Sequence, residues 1–233
     1  MATVVDRLAN RLERLMFRSA VISQVTAINQ YRLVQLSGPS LKGVDWVPGQ
    51  SVLIHLDSVK ARTYTPVSWD AENGTAVFLI FLHGNGPGSK WAATTKVGDE
   101  CLFSTPRRCF DFRAVTGPSL FFGDETSIGS AQALHALHPE RQHHYVFEVS
   151  SSADATEVLA SIALPNTQLV EKRHANAHLK DVAKLMLRTS SHFGLKHGVF
   201  AGNAASIQTL KRQLTFSKTQ VRAYWAEGRT ALS

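Results

Sequence analysis

The chain has little cysteine, two residues in 233, and little charge, with Asp, Glu, Lys and Arg making up 18%. Cys101 and Cys109 have neither the density of a secreted disulfide scaffold nor the spacing of a metal site. A cysteine-ligated iron–sulfur cluster needs about four thiolates, so these residues cannot hold one. Long apolar runs are missing too, since the longest, Val77 to Leu82, is far short of the ~20 residues that span a bilayer. Asp6, Arg7, Arg11 and Arg14 interrupt the N-terminal region where a signal peptide would need an apolar stretch. A soluble, cytoplasmic protein without integral membrane association is expected. What is present is a 44% hydrophobic composition, enough to fold without a disulfide or metal staple. The formal charge of +7 suits anionic ligands: nucleotides, acidic metal chelates, nucleic acid or a membrane surface. The basic residues are scattered and lie in no recognition motif, which argues against nucleic acid.

Leu8, Leu12 and Leu15 at helical spacing, with arginines among them, predict a short amphipathic helix over Val5 to Phe17, packed on the domain behind it. From Ala20 to Leu82 the apolar residues fall in short runs, Val21–Ile28, Leu33–Leu36, Val52–Leu56 and Val77–Leu82. Turn formers such as Ser37-Gly38-Pro39 and Glu72-Asn73-Gly74 separate them, which predicts an antiparallel β-barrel. A helix through Trp91-Ala92-Ala93 and a strand from Glu100 to Ser104 follow. After Gly117-Pro118, strands at Ser119–Phe122, Tyr145–Val149, Gln168–Val170, Val199–Ala201 and Val221–Trp225 alternate with helices at Ser127–Leu137, Ala155–Ile162, His178–Leu187 and Ala204–Leu214. That rhythm predicts a parallel sheet covered on both faces. The expected fold is therefore an N-terminal antiparallel β-barrel over residues 1–115 and a C-terminal parallel-sheet α/β domain over residues 116–233. Ligands of such sheets sit beyond the carboxyl ends of the strands, and the first such end here is Gly123-Asp124-Glu125-Thr126.

Arg62-Thr63-Tyr64-Thr65 places a cation, a flat aromatic and a hydroxyl within four extended residues. These types could hold a phosphate, cover a ring system and hydrogen-bond a ring heteroatom; an ordinary exposed strand would look the same. About twenty residues on, His83-Gly84-Asn85-Gly86-Pro87-Gly88-Ser89-Lys90-Trp91-Ala92 runs glycines into a helix start, where backbone N–H groups can approach a pyrophosphate. Its plain alternative is a β-to-α loop with Ser89 as the cap and Trp91 in the core.

In this order and ahead of an α/β domain, these blocks resemble the ferredoxin-reductase-like flavoproteins, and more narrowly the siderophore-interacting protein family of FAD-dependent ferric-siderophore reductases. Val97-Gly98-Asp99, Gly123 to Thr126, and Tyr224-Trp225 with Gly228 carry the resemblance to the C-terminus. It implies that Arg62 pairs with the flavin diphosphate, that Tyr64 packs along the isoalloxazine or ribityl, and that Thr65 contacts the reactive edge. Tyr64 and Thr65 are thus the implied catalytic contacts. Gly86, Gly88 and Ser89 would bind the FAD diphosphate, with His83 and Trp91 in flavin-side positions. Gly123, Asp124, Glu125, Thr126 and Gly202 would line the nicotinamide site. Val67, Gly129 and Asn203 depart from the family's usual arginine, proline and glutamate, which bears on FAD retention and on the geometry of the nicotinamide site.

Eight of ten histidines lie between His135 and His197, including His174-x-x-x-His178, yet no carboxylate or cysteine nearby in sequence completes a metal site, so none is expected. Lys172 and Arg173 follow the third strand of the α/β domain, where they could read a 2′-phosphate and tilt the donor toward NADPH over NADH; a solvated basic turn explains them equally well. The function expected is electron transfer from NAD(P)H, or a reduced ferredoxin, through FAD to Fe(III) in an anionic siderophore. Lys211, Arg212, Lys218, Arg222 and Arg229 are the candidates for the chelate's pocket wall, with a solvated helix face and tail as the alternative. Rival functions are an NAD(P)H–flavin reductase or diaphorase with another acceptor, and a siderophore carrier without turnover. A monomer is expected.

Overall fold

The computed structural model describes residues 17–57 and 60–228. The predicted N-terminal helix lies outside the described residues except for Phe17, and Arg229 lies outside them as well. The chain divides into two compact units, residues 1–109 and 110–233.

The first unit is antiparallel. Its strands are β1 (Phe17–Ile28), β2 (Tyr31–Ser37), β3 (Gln50–Asp57), β4 (Lys60–Tyr64), β5 (Ser68–Asp70), β6 (Thr75–Phe81), β7 (Glu100–Ser104) and β8 (Arg107–Arg108). They join in the order β4-β3-β7-β1-β2-β6-β5, with β8 on β3, and α1 (Pro87–Thr94) connects β6 to β7. Alternation puts Ile22, Val34, Leu36, Val52, Ile54, Phe78, Ile80 and Phe103 inside. β2 pairs with β6 in continuous register from Tyr31↔Phe81 to Ser37↔Thr75, and β4 lies at the edge beyond β3, Arg62 opposite Ile54 and Tyr64 opposite Val52. The segment carrying Arg62 and Tyr64 is thus presented at a sheet edge, while the strands behind it hold the core.

The second unit is a five-stranded sheet in the order β11-β10-β9-β12-β13, parallel at every pairing. Its strands are β9 (Ser119–Asp124), β10 (His143–Val149), β11 (Thr167–Glu171), β12 (His197–Asn203) and β13 (Lys218–Trp225). The crossovers are α2 (Ile128–Leu137), α3 (Ser152–Ser161), α4 (Leu179–Phe193) and α5 (Ala204–Lys211). β9 and β10 are buried along their whole length, as helices on both faces require. Leu120, Phe122, Val146 and Phe200 pack with Val182 and Met186 of α4 and with Ile207 and Leu210 of α5. On the alternate face the rings of Phe121, Tyr145 and Phe147 lie together. Strand order reverses between β9 and β12, so the crevice for a ligand opens beside Asp124 and Gly202.

Candidate functional site

In the first unit, the glycine-rich segment becomes the start of α1. Gly86 is the N-cap in extended backbone and Pro87 occupies the first turn, where its missing N–H costs nothing. The N–H groups of Gly88 and Ser89 have no acceptor within the helix at this position, and the first turn carries no acidic side chain. β4 runs against that turn: a Cβ on Gly88 would stand 2.3 Å from the Tyr64 hydroxyl and 3.6 Å from Cγ of Arg62. Only glycine permits this approach. Among the described residues no atom would meet a Cβ on Gly86 within 4 Å, so they leave the space before it open. The Arg62 stem therefore runs beside the positive end of a helix, an arrangement that an anion between them would stabilise.

Tyr64 packs on Trp91, ring centroids 6.4 Å apart. Burial pushes its phenol up to about 12, against the pull of the Arg62 cation, so the hydroxyl stays a donor at neutral pH. Thr65 follows directly, half-buried, before buried Pro66. Ser89 has a structural part: its Oγ accepts from the His83 N–H and donates to the His83 carbonyl, both at 3.0 Å, fastening the loop to the helix. The His83 ring lies over Phe81. Val67 is buried, its N–H donating to the Val77 carbonyl.

In the second unit, Asp124 ends the central strand fully buried, which raises its carboxyl above the ordinary range. It accepts from the Thr126 N–H at 2.9 Å, the Thr126 hydroxyl at 2.5 Å and the Trp225 indole N–H at 2.7 Å. Gly202 has φ +98° and would set a Cβ 2.5 Å from the Asp124 carboxylate, so both backbone and space require glycine there. Glu125, also buried, accepts the Ser150 N–H and hydroxyl on one oxygen and holds the Lys172 ammonium 2.5 Å from the other. Lys172 in turn lies 5.9 Å from the Trp225 ring centre. Asn203 caps α5 by accepting from Ala205 and Ser206 N–H, which gives the departure at that position a local role. Gly129 is buried in the first turn of α2.

The structure thus brings Arg62, Tyr64, Gly86, Gly88, Ser89 and Trp91 together in one unit, and Gly123, Asp124, Glu125, Thr126 and Gly202 in the other. It does not add the basic residues to the second group. His197 pairs with Lys218 at the amino ends of β12 and β13, so Lys218 lies at the sheet edge opposite Asp124, and Lys211 and Arg212 end α5 on the approach to it. Arg222 stands midway along β13, opposite Ala201. The pairings of Trp225 with Asp124 and of Lys172 and Ser150 with Glu125 join residues far apart in sequence; Tyr224-Trp225 stood out only through the resemblance, and Lys172 only as a basic residue after a strand. His178 is bound to Glu148 at 2.8 Å and accepts from the Arg173 N–H. Among the described residues no group of three or more His, Cys, Asp or Glu could hold a metal ion, and no helix is long and apolar enough to cross a membrane.

Residues 3–110 match the siderophore-interacting FAD-binding domain family. No curated protein matches the sequence. Among solved structures, the siderophore-interacting protein SipS from Aeromonas hydrophila is 17% identical with a TM-score of 0.73, covering 92% of this chain and 93% of its own. Phthalate dioxygenase reductase is 14% identical with a TM-score of 0.72, over 94% of this chain and 71% of its own. Full-length CYP116B46 from Tepidiphilus thermophilus is 17% identical with a TM-score of 0.72, over 91% of this chain, which spans only 29% of that protein. At such identities the likeness shows the fold, an antiparallel half-barrel followed by a parallel α/β domain of the ferredoxin-reductase type.

Proposed function

From an N-terminal unit that matches the siderophore-interacting FAD-binding domain family, we propose that the protein is a flavin-dependent reductase that takes electrons from NAD(P)H and delivers them to Fe(III) in a siderophore. The observation that carries the reading is the Arg62 stem set beside the start of α1, with no acidic residue in that first turn and, among the described residues, open space before Gly86. A cation against a helix N-terminus is unfavourable alone and matches a diphosphate, which the Gly88 and Ser89 N–H groups and the guanidinium would hold together. FAD, when bound, accepts two electrons as hydride and returns them singly, which suits a one-electron acceptor such as Fe(III). Tyr64, kept protonated, would donate toward the ribityl or ring from beside Trp91, and Thr65 would hydrogen-bond the reactive edge. Ser89 and His83 would keep the glycine loop in shape, and the Gly123–Thr126 turn with Gly202 would receive the nicotinamide end of the donor.

The overall balance is one NAD(P)H and two Fe(III) giving NAD(P)⁺, one proton and two Fe(II). Oxygen-ligand chelates bind the ferric ion far more tightly than the ferrous, so the metal becomes exchangeable without cleavage of the ligand. The +7 charge favours an anionic chelate. With Lys211, Arg212 and Lys218 at the far edge of the sheet, their proposed part is the general attraction of anions, and Arg222 is the better placed of the four for contact. The reductase-type fold supports a second reading, exchange of electrons with a ferredoxin-type partner.

Anaerobic stopped-flow reduction of the FAD-loaded protein by NADH and NADPH, followed by mixing with ferric hydroxamate, ferric catecholate, quinone and ferredoxin, tests both. Reoxidation by the chelates should be fastest; a protein that takes up no FAD, or whose flavin prefers every acceptor over ferric chelates, would overturn the reading.

A further inference from the structure

The loop after β10 is where the adenosine ribose of a dinucleotide lies in a parallel sheet of this order. Here that loop, Ser150-Ser151-Ser152, is tied down by the chain's own carboxylates. Glu125 reaches across from β9 to take the Ser150 N–H at 2.6 Å and the Ser150 hydroxyl at 2.8 Å. Glu171, at the end of edge strand β11, takes the Ser152 N–H at 2.9 Å. Ser151 Oγ takes the Asp154 N–H, and the Asp154 side chain stands in the same first turn of α3. Three amides at the head of α3 that could bind a phosphate are thus already accepted by oxygens of the protein.

The two cations that follow β11 are committed elsewhere. Lys172 sits on buried Glu125, and that carboxylate would be left uncompensated inside the protein if the lysine turned to a ligand. Arg173 pairs with Asp181 of α4. This second pair is exposed and weak, so it is the lesser obstacle. The exposed carboxylate on this loop is Glu171, held below the ordinary range by the Ser152 N–H and so kept charged.

We propose that the donor is NADH and not NADPH, with Glu171 as the specificity-determining residue: its carboxylate accepts from a ribose 2′-hydroxyl and repels a 2′-phosphate. The inference rests on the donor reading above and adds the choice of nucleotide, against the direction that the bare Lys172-Arg173 pair suggests.

Two measurements on the FAD-loaded full chain test it. In anaerobic stopped flow, the ratio of reduction rate to Kd should favour NADH over NADPH by about tenfold or more, the scale set by a like-charge contact near the surface. Calorimetric titration should show ADP-ribose binding more tightly than its 2′-phosphate. Glu171→Gln keeps an acceptor for Ser152 but removes the charge, and should shift both ratios several-fold toward the phosphorylated ligand. Equal or better use of NADPH by the wild type, or ratios unmoved by Glu171→Gln, would overturn the inference. If neither nucleotide reduces the flavin but ADP-ribose still binds in preference to its 2′-phosphate, the hydride-donor reading fails while the specificity stands. If neither ligand binds, both fall.

Discussion

Among the described residues, the polar side chains buried in the antiparallel unit are serines, Ser51, Ser89 and Ser104, whereas the parallel unit buries Asp124, Glu125, Glu148, His143, His144 and His178. The difference follows from where each architecture needs polar groups. In the barrel-like unit the strands satisfy one another and the interior is apolar, so the charged residues of the candidate flavin site stay at a sheet edge where a ligand can meet them. In the α/β unit the carboxyl ends of parallel strands leave loops and backbone groups to be tied together, and the carboxylates of Asp124 and Glu125 do that tying. One unit thus leaves its charge at an edge, where the proposed cofactor would meet it, and the other uses much of its charge on its own scaffold. Substitution and pH should therefore act on them differently.

The largest contrast is expected at Gly202. Alanine there meets the Asp124 carboxylate at 2.5 Å and a backbone φ of +98°. Strain and overpacking together should cost about 3 to 5 kcal/mol. Hydrogen exchange followed by mass spectrometry should show lost protection in β9 and β12 while β2 and β6 keep theirs. Equal loss in both units would mean that they unfold as one and would break the comparison.

Acid should separate them next. His143 is buried in the second unit, its Nδ1 bonded to Ser119 Oγ at 2.7 Å and its Nε2 without a hydrogen-bond partner among the described residues. Burial, with His138, His135 and Arg141 adding to it against Glu140, lowers its pKa from 6.5 to about 4. The folded unit therefore keeps the imidazole neutral while the unfolded chain takes up a proton. Stability from this group is full above pH ~6.5, falls as the pH drops from there toward 4, and levels off below; the loss is about 2 to 3 kcal/mol. Exchange protection of β10 should decline over that window, with β6 little changed, and His143→Phe should flatten the response. A β10 profile that stays flat in the wild type would remove the contrast.

How much of this could be read in the sequence also differs between the units. The strands of both halves stand out as short apolar runs between turn formers, and the Arg62 and Gly86–Ser89 blocks are local strings whose chemistry shows in their order. β5 and β8, three and two residues long, are too short for any period to show. α4 runs on to Phe193, past the expected end at Leu187, because Gly194 in left-handed backbone is what ends it and the residues between are polar. The pairings in the second unit were illegible for another reason. Trp225 meets Asp124 across 101 positions and Lys172 meets Glu125 across 47, so only the folded sheet puts them together. Lys172 and Arg173 read equally well as readers of a 2′-phosphate or as a solvated basic turn, and only the folded chain shows the carboxylates that they pair with. Ser89 read as a phosphate donor or a helix cap; the cap is Gly86, and the Ser89 hydroxyl closes the loop on His83.

In the first unit the corresponding effects should fall on the ligand and not on the fold. Arg62→Ala removes a guanidinium that donates to the neighbouring Ala61 carbonyl. FAD affinity should drop by about 1.5 to 3 kcal/mol, the size of a charge-assisted phosphate contact. Fluorescence titration of the apoprotein with FAD measures this, and unchanged affinity would refute the assignment of Arg62 to the diphosphate.

The smallest effect, and the sharpest test of the contrast, is the same substitution as at Gly202 placed at Gly88. A Cβ there would stand 2.3 Å from the Tyr64 hydroxyl, which is the far end of a side chain and can move, whereas the Asp124 carboxylate facing Gly202 is held by three hydrogen bonds. Alanine also favours the helix by up to about 1 kcal/mol over glycine, so the cost of displacing the ring is largely offset. Thermal stability of Gly88→Ala should stay within about 1 kcal/mol of wild type. FAD binding should weaken several-fold, because Tyr64 is pushed from its place beside Trp91. If Gly88→Ala instead destabilised the protein as strongly as Gly202→Ala, the first unit would be as rigidly built around its site as the second. If it left both stability and FAD affinity untouched, Tyr64 would have no part in holding the cofactor.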